Sequence, residues 1–408
     1  MINEIIAHTD LPDIDGIELH NPTNSAIDIG GWFLSDSASL PLKYQIPPGT
    51  NIGPGGYLIF DEDDFNPTPM SPGPNDFALN AANGDDVYLV IADGAGTGVA
   101  TYVDHVDFGA TLNGESLGRW PNANGALTPM ITPTFGGANS GPRIGPLIIS
   151  EVNYHPGFPS AAALAIDGTM IDDDLEFIEL YNPGSSAIDL LNWRLRGEAD
   201  IDFTSMIPLG ADQTLVVVGF DPLATPSMAD AFRAHFGIGA GVPLIGPFSG
   251  TLNNSEGRFS LEQPDDPPLD DPGFIPHAIA DVLIYDDLLP WPEASDGGGS
   301  SLTRGPSETN TNDTSTWFAV TPSPGSHFPT LPGSEISVNI ARGPGLAEFT
   351  LSWTSLTGAH YDVTESQDLL NWEPLAPNHP SSGTNTSLSI PLNGSSRFYR
   401  LRQRPPEP

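Results

Sequence analysis

The chain has 408 residues, with 52 Asp or Glu against 13 Lys or Arg, and its formal charge at pH 7 is −39. This charge argues against nucleic acid as a partner, because phosphate binding needs clustered cations. Cysteine is absent, so disulfides and thiolate metal sites are excluded, and no long apolar run predicts a membrane span. The 44 glycines and 43 prolines indicate turn-rich β-structure rather than helices or disorder.

The first strand is predicted at the very start of the chain, over residues 1–5, and residues 149–152 match it. No charged or apolar leader segment precedes this strand. We therefore expect that a signal peptide has been removed or that the sequence is a fragment of a longer protein.

A repeat organises the next part of the chain. Residues 17–34 recur as residues 178–195 at a constant offset of 161, and eleven of these eighteen positions are identical. In each copy two aliphatic residues flank a glutamate, Glu18 or Glu179, which is the alternation of a half-buried strand. The recurring tryptophans, Trp32 and Trp193, are predicted to lie at the centres of two equivalent cores.

Further strands follow in both copies, with turn signals between them. They are predicted at residues 57–60, 87–91 and 101–108 in the first copy, and at residues 215–218, 258–261 and 280–285 in the second. Many short strands separated by Pro and Gly turns predict an all-β fold made of β-sandwiches.

The repeated segments, "IELHNPTNSAIDIGGWFLSD" and "FIELYNPGSSAIDLLNWRLRG", each follow a short opening strand and precede a proline-glycine turn. This pattern resembles the lamin-tail domain in its bacterial form. The resemblance implies two tandem immunoglobulin-like β-sandwiches, which we expect at residues 1–142 and 146–328. It also implies a surface or secreted protein, because bacterial members mostly accompany enzymes such as spore-coat-H-like kinases or nucleases. None of those catalytic domains is visible in this chain.

The second copy carries two insertions that the first lacks. Residues 158–174 are predicted to be a long loop. Residues 226–236 are predicted to be the one helix, with Thr225 as N-cap, proline in the first position and Met228, Phe232 and Phe236 on one face. We expect these insertions to cover apolar core surface at one end of the sandwich, in preference to forming a substrate lid.

A third, smaller β-sandwich is predicted at residues 334–404, where arginine becomes more frequent. Strands are predicted at residues 335–341, 348–353, 360–366, 387–391 and 397–402. The run "YDVTESQDLLNW" with a terminal "FYRL" resembles the small module that ends many secreted bacterial proteins. The arginines of its last strand are expected at a solvated edge.

Motifs of known catalytic chemistry are missing from the sequence. There is no phosphate-binding glycine loop, no His-Glu-x-x-His helix and no Gly-x-Ser-x-Gly elbow, and the nine histidines are scattered. Carboxylate pairs of the glycosidase kind are neither favoured nor excluded by so many acids. We therefore predict a protein without enzymatic activity and without a cofactor other than calcium.

Calcium is the one ligand that the acidic loops suggest, because it takes six to eight oxygen ligands at flexible sites. The run Asp10, Asp13, Asp15 and Glu18 has D-x-x-D-x-D-G-x-E spacing, and Asp172, Asp173 and Asp174 form a second acidic cluster. The competing interpretation is that both are solvated loops on an acidic surface.

An arginine recurs after Ser-Leu-x near the end of each copy, at Arg119 and Arg304. Because arginine is scarce and can bind a carboxylate with two hydrogen bonds, we hypothesise two equivalent ion pairs. They would join Glu18 with Arg119 and Glu179 with Arg304, and would fix strand register without a catalytic role.

Two functional hypotheses remain from the sequence. The first, which we favour, is a non-catalytic extracellular or cell-surface protein whose sandwiches bind, dock or space polysaccharide, cell-envelope or protein partners. The alternative is a set of accessory domains from a larger secreted enzyme, such as a spore-coat-H-like kinase or a hydrolase. The gene upstream of Met1 discriminates between the two.

Overall fold

The computed structural model describes residues 1–9, 14–268, 271–305, 313–327, 338–342, 348–355, 360–367, 373–382, 385–391 and 397–403. Two compact units result, with Met1–Arg304 and residues 313–327 in the first and the strands from residue 338 onward in the second. The described part of the chain is mostly β-strand in several sheets, with three short helices. The fold is all-β and made of immunoglobulin-like sandwiches, as the sequence predicts.

The first repeat has two main sheets that enclose one core. Its elements are β1 Ile2–Ile6, β2 Gly16–His20, β3 Ile27–Asp28, β4 Phe33–Ser35, β5 Tyr44–Gln45, β6 Asn51–Ile52, β7 Tyr57–Asp61, α1 Glu62–Phe65, β8 Asp85–Ala92, β9 Val99–Phe108, β10 Ser116–Trp120 and β11 Ala126–Pro129. The large sheet has the order β11-β10-β1-β2-β7 and the other β5-β4-β8-β9, while β3 pairs with β6.

The second repeat has the same plan with additions. Its elements are β12 Ile148–Asn153, α2 Ala161–Ile166, β13 Phe177–Tyr181, β14 Ile188–Asp189, β15 Arg194–Gly197, β16 Ala199–Asp202, β17 Pro208–Leu209, β18 Thr214–Val218, α3 Pro226–Phe236, β19 Leu244–Ile245, β20 Ser249–Gly250, β21 Glu256–Pro264, β22 His277–Asp286, β23 Ser301–Arg304 and β24 Trp317–Val320. Its sheets have the orders β19-β18-β13-β12-β23-β24 and β20-β16-β15-β21-β22, and β14 pairs with β17. Each sheet is thus longer by one strand than its counterpart in the first repeat.

Each repeat has its own buried core, although both belong to the same compact unit. Arg143 joins them, because its guanidinium donates to the Ile279 carbonyl at 2.8 Å and also binds Glu115. Trp193 is buried in the second core, as predicted. Trp32 is only partly buried and packs against the first core, so its prediction as a buried centre is wrong. The strand that follows each tryptophan has a shorter partner in the first repeat. There β4 pairs with β5, which has two residues, whereas in the second repeat β15 pairs with β16, which has four.

The helix α3 confirms the prediction for residues 226–236, with Thr225 as N-cap and Pro226 at its start. Phe232 is fully buried, and Met228 and Phe236 pack beside it. The prediction of one helix in the second repeat is wrong, because residues 158–174 also contain α2 and a 3-10 turn. None of the described helices has the length and apolar character to cross a membrane.

The second unit contains β25 Val338–Arg342, β26 Glu348–Thr354, β27 His360–Ser366, β28 Glu373–Pro380, β29 Asn385–Pro391 and β30 Phe398–Gln403. They form two sheets, with the orders β25-β26-β29 and β28-β27-β30, around a small core that includes Trp353 and Tyr361. Strand β28 is not predicted from the sequence, because its three prolines argue against a strand. β28 lies at a sheet edge and pairs irregularly with β27, which is where strands tolerate proline.

Candidate functional site

A pair of buried glutamates lies on the outer face of the large sheet in each repeat, the face turned away from the sandwich core. Glu4 and Glu18 are cross-strand partners on β1 and β2, and Glu151 and Glu179 hold the same places on β12 and β13. All four side chains are fully buried. A β-bulge precedes the first glutamate of each pair. The repeated glutamate is therefore half of a repeated carboxyl pair.

In the first repeat a closing loop, residues 132–139, covers this pair. The Thr134 N–H donates to Glu4 Oε1 at 3.0 Å and the Thr134 hydroxyl donates to Glu4 Oε2 at 2.9 Å. The Gly136 N–H donates to Glu18 Oε2 at 2.5 Å, while Asn3 Nδ2 donates to Glu18 Oε1 at 2.9 Å. The oxygens of both glutamates thus accept hydrogen bonds from the repeat itself, as buried acids require.

The second repeat has an equivalent closing loop, residues 321–326. The Ser323 N–H donates to Glu151 Oε1 at 2.9 Å. The N–H groups of Gly325 and Ser326 donate to Glu179 Oε2 at 2.7 and 3.2 Å. Because the same contacts recur, the glutamate pair holds the closing loop on the sheet in both repeats.

Burial is the main influence on the protonation of Glu18, Glu151 and Glu179. Burial raises the pKa of Glu179, and the nearby Glu151 carboxylate raises it further. Burial likewise raises the pKa of Glu151 and the pKa of Glu18. Hydrogen bonds from the loop oppose the effect of burial without cancelling it. These carboxyl groups therefore keep their protons to a higher pH than exposed glutamates do.

The ion pairs predicted for Arg119 and Arg304 are wrong in both repeats. Arg119 Nη2 binds the two carboxylate oxygens of Asp104 at 3.0 and 3.2 Å. Arg304, which is 1% exposed, donates through Nη1 to Asp281 at 2.8 Å. Among the residues that the structure describes, neither arginine forms an ion pair with a repeated glutamate.

Strand alternation explains why the predicted pairs do not form. Glu18, Glu4 and Gly118 lie in one cross-strand row over β2, β1 and β10. Arg119 follows Gly118, so its side chain points to the opposite face of the sheet. The same alternation separates the corresponding side chains of the second repeat.

The aspartates that bind these arginines connect the two sheets of each sandwich. Asp104 on β9 also accepts the Ile2 N–H at 2.7 Å, and Asp281 on β22 accepts the Ile149 N–H at 2.8 Å. Each aspartate therefore joins the first strand of its repeat to the opposite sheet. The expected structural role of the arginines remains, but with a different acid as the partner.

An open cleft of about 630 Å³ lies on the outer face of the large sheet in the first repeat. It is lined by Ile6, Thr9, Ile14, Asp15, Gly16, Ile59, Asp61, Asn113, Gly114, Pro133 and Phe135. Phe135 of the closing loop packs directly on Gly16, where a Cβ atom would come within 2.8 Å of the ring. The volume lies within the range of ligand sites, which span roughly 300–1,000 Å³, and the lining mixes apolar side chains with polar ones.

Asp15 is the buried acid of the cleft and is 8% exposed. Its carboxylate accepts a hydrogen bond from Thr9 Oγ1 at 3.3 Å. Burial raises the pKa of Asp15 to about 7, and the charge of Glu62 contributes to the same shift. The Leu79 N–H donates to Asp15 and lowers its pKa in part. A buried acid with a raised pKa in a cleft is a candidate catalytic group that has to be weighed against a structural role.

The second repeat supplies a control for this interpretation, because Glu176 stands 161 residues after Asp15. Glu176 Oε2 accepts the Leu252 N–H at 3.1 Å, as Asp15 accepts that of Leu79. Burial raises the pKa of Glu176 to about 7 as well. The outer face of the second repeat is covered by protein, yet it keeps the same acid. The shifted pKa is therefore a property of the repeat's architecture.

Helix α3 covers the corresponding face of the second repeat. Phe177 takes the position of Gly16, and Val216 takes that of Ile59. Phe177 and Val216 are fully buried in an apolar cluster with Phe232 of α3. Ile59, by contrast, is 40% exposed. The cleft thus marks the place where the first repeat has no helical insertion.

The acidic runs do not assemble into a metal site in the described part of the chain, where no group of three or more acids or histidines is arranged to hold an ion. Asp10 and Asp13 lie outside the described residues. Glu18 is wrong as a ligand, because its oxygens accept hydrogen bonds beneath the closing loop. In the second run, the Asp174 carboxylate accepts a hydrogen bond from the Ile171 N–H. Asp173 begins a 3-10 turn, and Asp172 is the residue before that turn. Calcium binding through the remaining acids stays a prediction, which calorimetry at millimolar calcium tests.

Sequence reasoning missed the partner acids and the closing loops. A signal for the loops was present, since "TPTFGG" and "TPSPGS" follow the last strand of each repeat. The dipeptide Leu-Asn occurs at residues 79–80 and again at residues 252–253. In each case the leucine N–H donates to the buried acid, Asp15 or Glu176. The aspartates on β9 and β22 had no comparable signal among 52 acidic residues.

Comparison with known proteins gives one family match. Residues 1–105 match the Lamin Tail Domain. This match includes Glu18, Trp32 and the β7 side of the cleft, and it ends within β9, before the closing loop. A search among curated proteins finds no match. A crystal structure of a DUF4876 family protein from Bacteroides thetaiotaomicron is similar at 12% sequence identity, over 60% of this chain and 82% of that chain, with a TM-score of 0.26.

Proposed function

We propose that the protein is a non-catalytic binding module of a cell-surface or secreted modular protein, and that the cleft of the first repeat is its binding site. The observation that carries this proposal is the difference between the repeats on one equivalent face. The second repeat fills that face with its own helix, whereas the first leaves Ile59 and the adjoining cleft accessible. The cleft combines apolar side chains with the polar groups of Thr9, Asp15, Asp61 and Asn113, a mixture that suits a bound partner.

The proposal extends to the second repeat, residues 146–328, as a further domain of the lamin-tail type. Its sheets repeat the strand order of the first, and its glutamate pair and aspartate–arginine contact recur. A structural role for the buried acids supports the absence of catalysis, because the repeat that keeps Glu176 has covered the face on which a substrate would lie.

Methyl NMR on the intact chain tests the proposed binding site. The protein is labelled at isoleucine methyls and titrated separately with oligosaccharides, cell-wall fragments and peptides. We expect one class to shift the signals of Ile6, Ile14 and Ile59 while Ile245 of the second repeat stays unchanged. If none of the three classes moves the cleft signals, the cleft is not the binding site.

A further inference from the structure

The edge of the large sheet differs between the repeats in the same way as its outer face. β7 is the last strand of its sheet, whereas the corresponding β18 is followed by β19, which runs parallel to it. An edge strand presents backbone N–H and C=O groups to any chain that can pair with it. β7 therefore offers an open edge directly beside the cleft, since Ile59 and Asp61 belong to both.

The second repeat shows what kind of segment fits this edge. The Val216 N–H of β18 donates to the Pro243 carbonyl at 3.1 Å, and Leu244 then pairs with Val216. Leu244 packs into the apolar cluster on the outer face, and Ile245 packs against the sandwich core. Two consecutive aliphatic residues in an extended segment thus seal the edge on both faces.

Charge adds a second requirement for the first repeat. Asp61 lines the cleft, and the helix α1 that follows β7 begins with Glu62, Asp63 and Asp64. The lining residues include no lysine or arginine. A segment that pairs with β7 would therefore be bound more tightly if basic residues flanked its aliphatic part.

We infer that β7 and the adjoining cleft bind an extended aliphatic peptide segment, flanked by basic residues, of a protein partner, and that this segment joins the sheet as a strand parallel to β7. The inference rests on the proposed function and names the partner and its mode of binding. Main-chain hydrogen bonds to β7 supply affinity in this mode, and the cleft selects the side chains that point onto the outer face.

Another open edge of the first repeat serves as the internal comparison. β9 ends the second sheet, but its equivalent β22 also ends a sheet in the second repeat. The openness of β9 is thus shared by both repeats, and none of the cleft residues belongs to β9. Among the described strands, β5 is also an open edge whose equivalent in the second repeat, β16, is covered by β20, but none of the cleft residues belongs to β5. The β7 edge is open in one repeat, filled in the other and continuous with the cleft, so the inference applies to β7.

The test uses the intact chain and a peptide built on the protein's own β19, with the sequence Lys-Lys-Val-Pro-Leu-Ile-Gly-Lys-Lys. Two control peptides keep the aliphatic core. The first has glutamate in place of every lysine. The second carries an N-methyl group on the isoleucine nitrogen, which removes the N–H that a parallel strand would donate to β7. We expect the lysine peptide to shift the methyl signals of Ile59 and Ile6. Each control peptide is expected to bind at least about tenfold more weakly.

Two protein variants complete the test. Ile59→Lys places a charge on the exposed β7 edge, and Val103→Lys places the same charge on the exposed β9 edge. We expect Ile59→Lys to weaken binding of the lysine peptide by at least about tenfold and Val103→Lys to leave it within about twofold. Unchanged methyl signals of Ile2, Ile5 and Ile29, which lie in the buried core of the first repeat, serve as the check that both variants are folded.

The outcomes separate the inference from the proposed function. Equal binding of the N-methylated peptide would overturn strand addition while leaving the cleft as a binding site. Cleft shifts with oligosaccharides but not with the lysine peptide would overturn the inference alone. If no class of ligand moves the cleft signals, the inference and the proposed function both fail.

Discussion

The outer face of the large sheet is aliphatic at Ile59 in the first repeat and at Val216 in the second, yet only the second repeat buries it. The segment between β18 and β21 makes the difference, because residues 219–255 supply both α3 and β19, whereas the shorter segment 62–84 of the first repeat contains only the one-turn helix α1. The comparison shows that the sandwich itself does not need this cover. An apolar face that one repeat covers and the other leaves open is a place where a partner can bind.

The buried polar contacts show the opposite behaviour, because they are the same in both repeats. Each repeat keeps a glutamate pair under its closing loop and an aspartate that joins the two sheets through an arginine. These contacts satisfy buried charges that are destabilising if left alone. They belong to the common architecture, and the two repeats differ in the face and edge around β7.

The largest predicted effect concerns the two tryptophans. Trp193→Ala should destabilise the second repeat by about 3–5 kcal/mol, and Trp32→Ala should destabilise the first by less, because Trp32 is only partly buried. Denaturant unfolding followed by hydrogen exchange resolves the two repeats. We expect each variant to leave the other repeat folded, and a joint loss of protection in both would show that they unfold as one unit.

The acids that recur in both repeats predict a common dependence on pH. Burial raises the pKa of Asp15 and that of Glu176 to about 7, from ordinary values of 3.8 and 4.5. Each group keeps its proton in the folded state at a pH where the unfolded chain has lost it. The stability they contribute is therefore fully present below the unfolded pKa and is lost as the pH rises toward 7.

Urea unfolding between pH 4.5 and pH 8 measures this loss, which is about 3 kcal/mol for a shift of the size seen at Glu176. The variants Asp15→Asn and Glu176→Gln each remove one titrating group and retain an acceptor for the backbone N–H. We expect each to flatten the pH dependence of its own repeat. Stability that increases across this range in the wild-type protein would contradict the assignment.

The closing loops predict unequal effects of one substitution. Gly325 and Gly136 both have positive φ angles, +90° and +91°, so alanine is strained at either position by about 1–2 kcal/mol. At Gly325 the added Cβ would also lie 2.5 Å from Val242, whereas at Gly136 nothing lies within 4 Å. Thermal unfolding should show Gly325→Ala to be the more destabilising by about 1–3 kcal/mol. Equal effects would mean that the loop shifts away from Val242.

The smallest predicted effect concerns the outer face itself. Val216→Ala should destabilise the second repeat by about 2 kcal/mol, because this side chain is fully buried. Ile59→Ala should cost the first repeat less than about 1 kcal/mol, because the side chain is 40% exposed. Chemical denaturation of the two variants makes the comparison. A similar loss at Ile59 would indicate that the first repeat buries this face in solution.

The elements that depend on local residue pattern could be predicted from the sequence. Alternation predicted β2 and β13, the turn signals beside them predicted β7 and β18, and the Thr225-Pro226 start with apolar residues on one face predicted α3. Strand β28 was missed because its prolines oppose the strand pattern, and edge pairing with β27 prevailed.

The candidate site could not be predicted from the sequence for a physical reason. The cleft is formed by residues from β1, β2, β7 and the closing loop, which meet only after the sheet has formed. Asp104 and Arg119 are likewise brought together by the packing of two sheets, and no spacing rule selects Asp104 among so many acids. What the sequence did show is the insertion at residues 226–236, whose absence from the first repeat leaves the cleft open.

Hydrogen exchange of the β7 and β18 amides tests the central comparison most directly. In the free protein we expect the Ile59 amide to exchange at least about 100-fold faster than the Val216 amide, which β19 protects. Addition of the lysine-flanked peptide should slow exchange at Ile59 and leave Val216 unchanged. Equal protection of the two amides in the free protein would contradict the account, because the first repeat would then have no open edge.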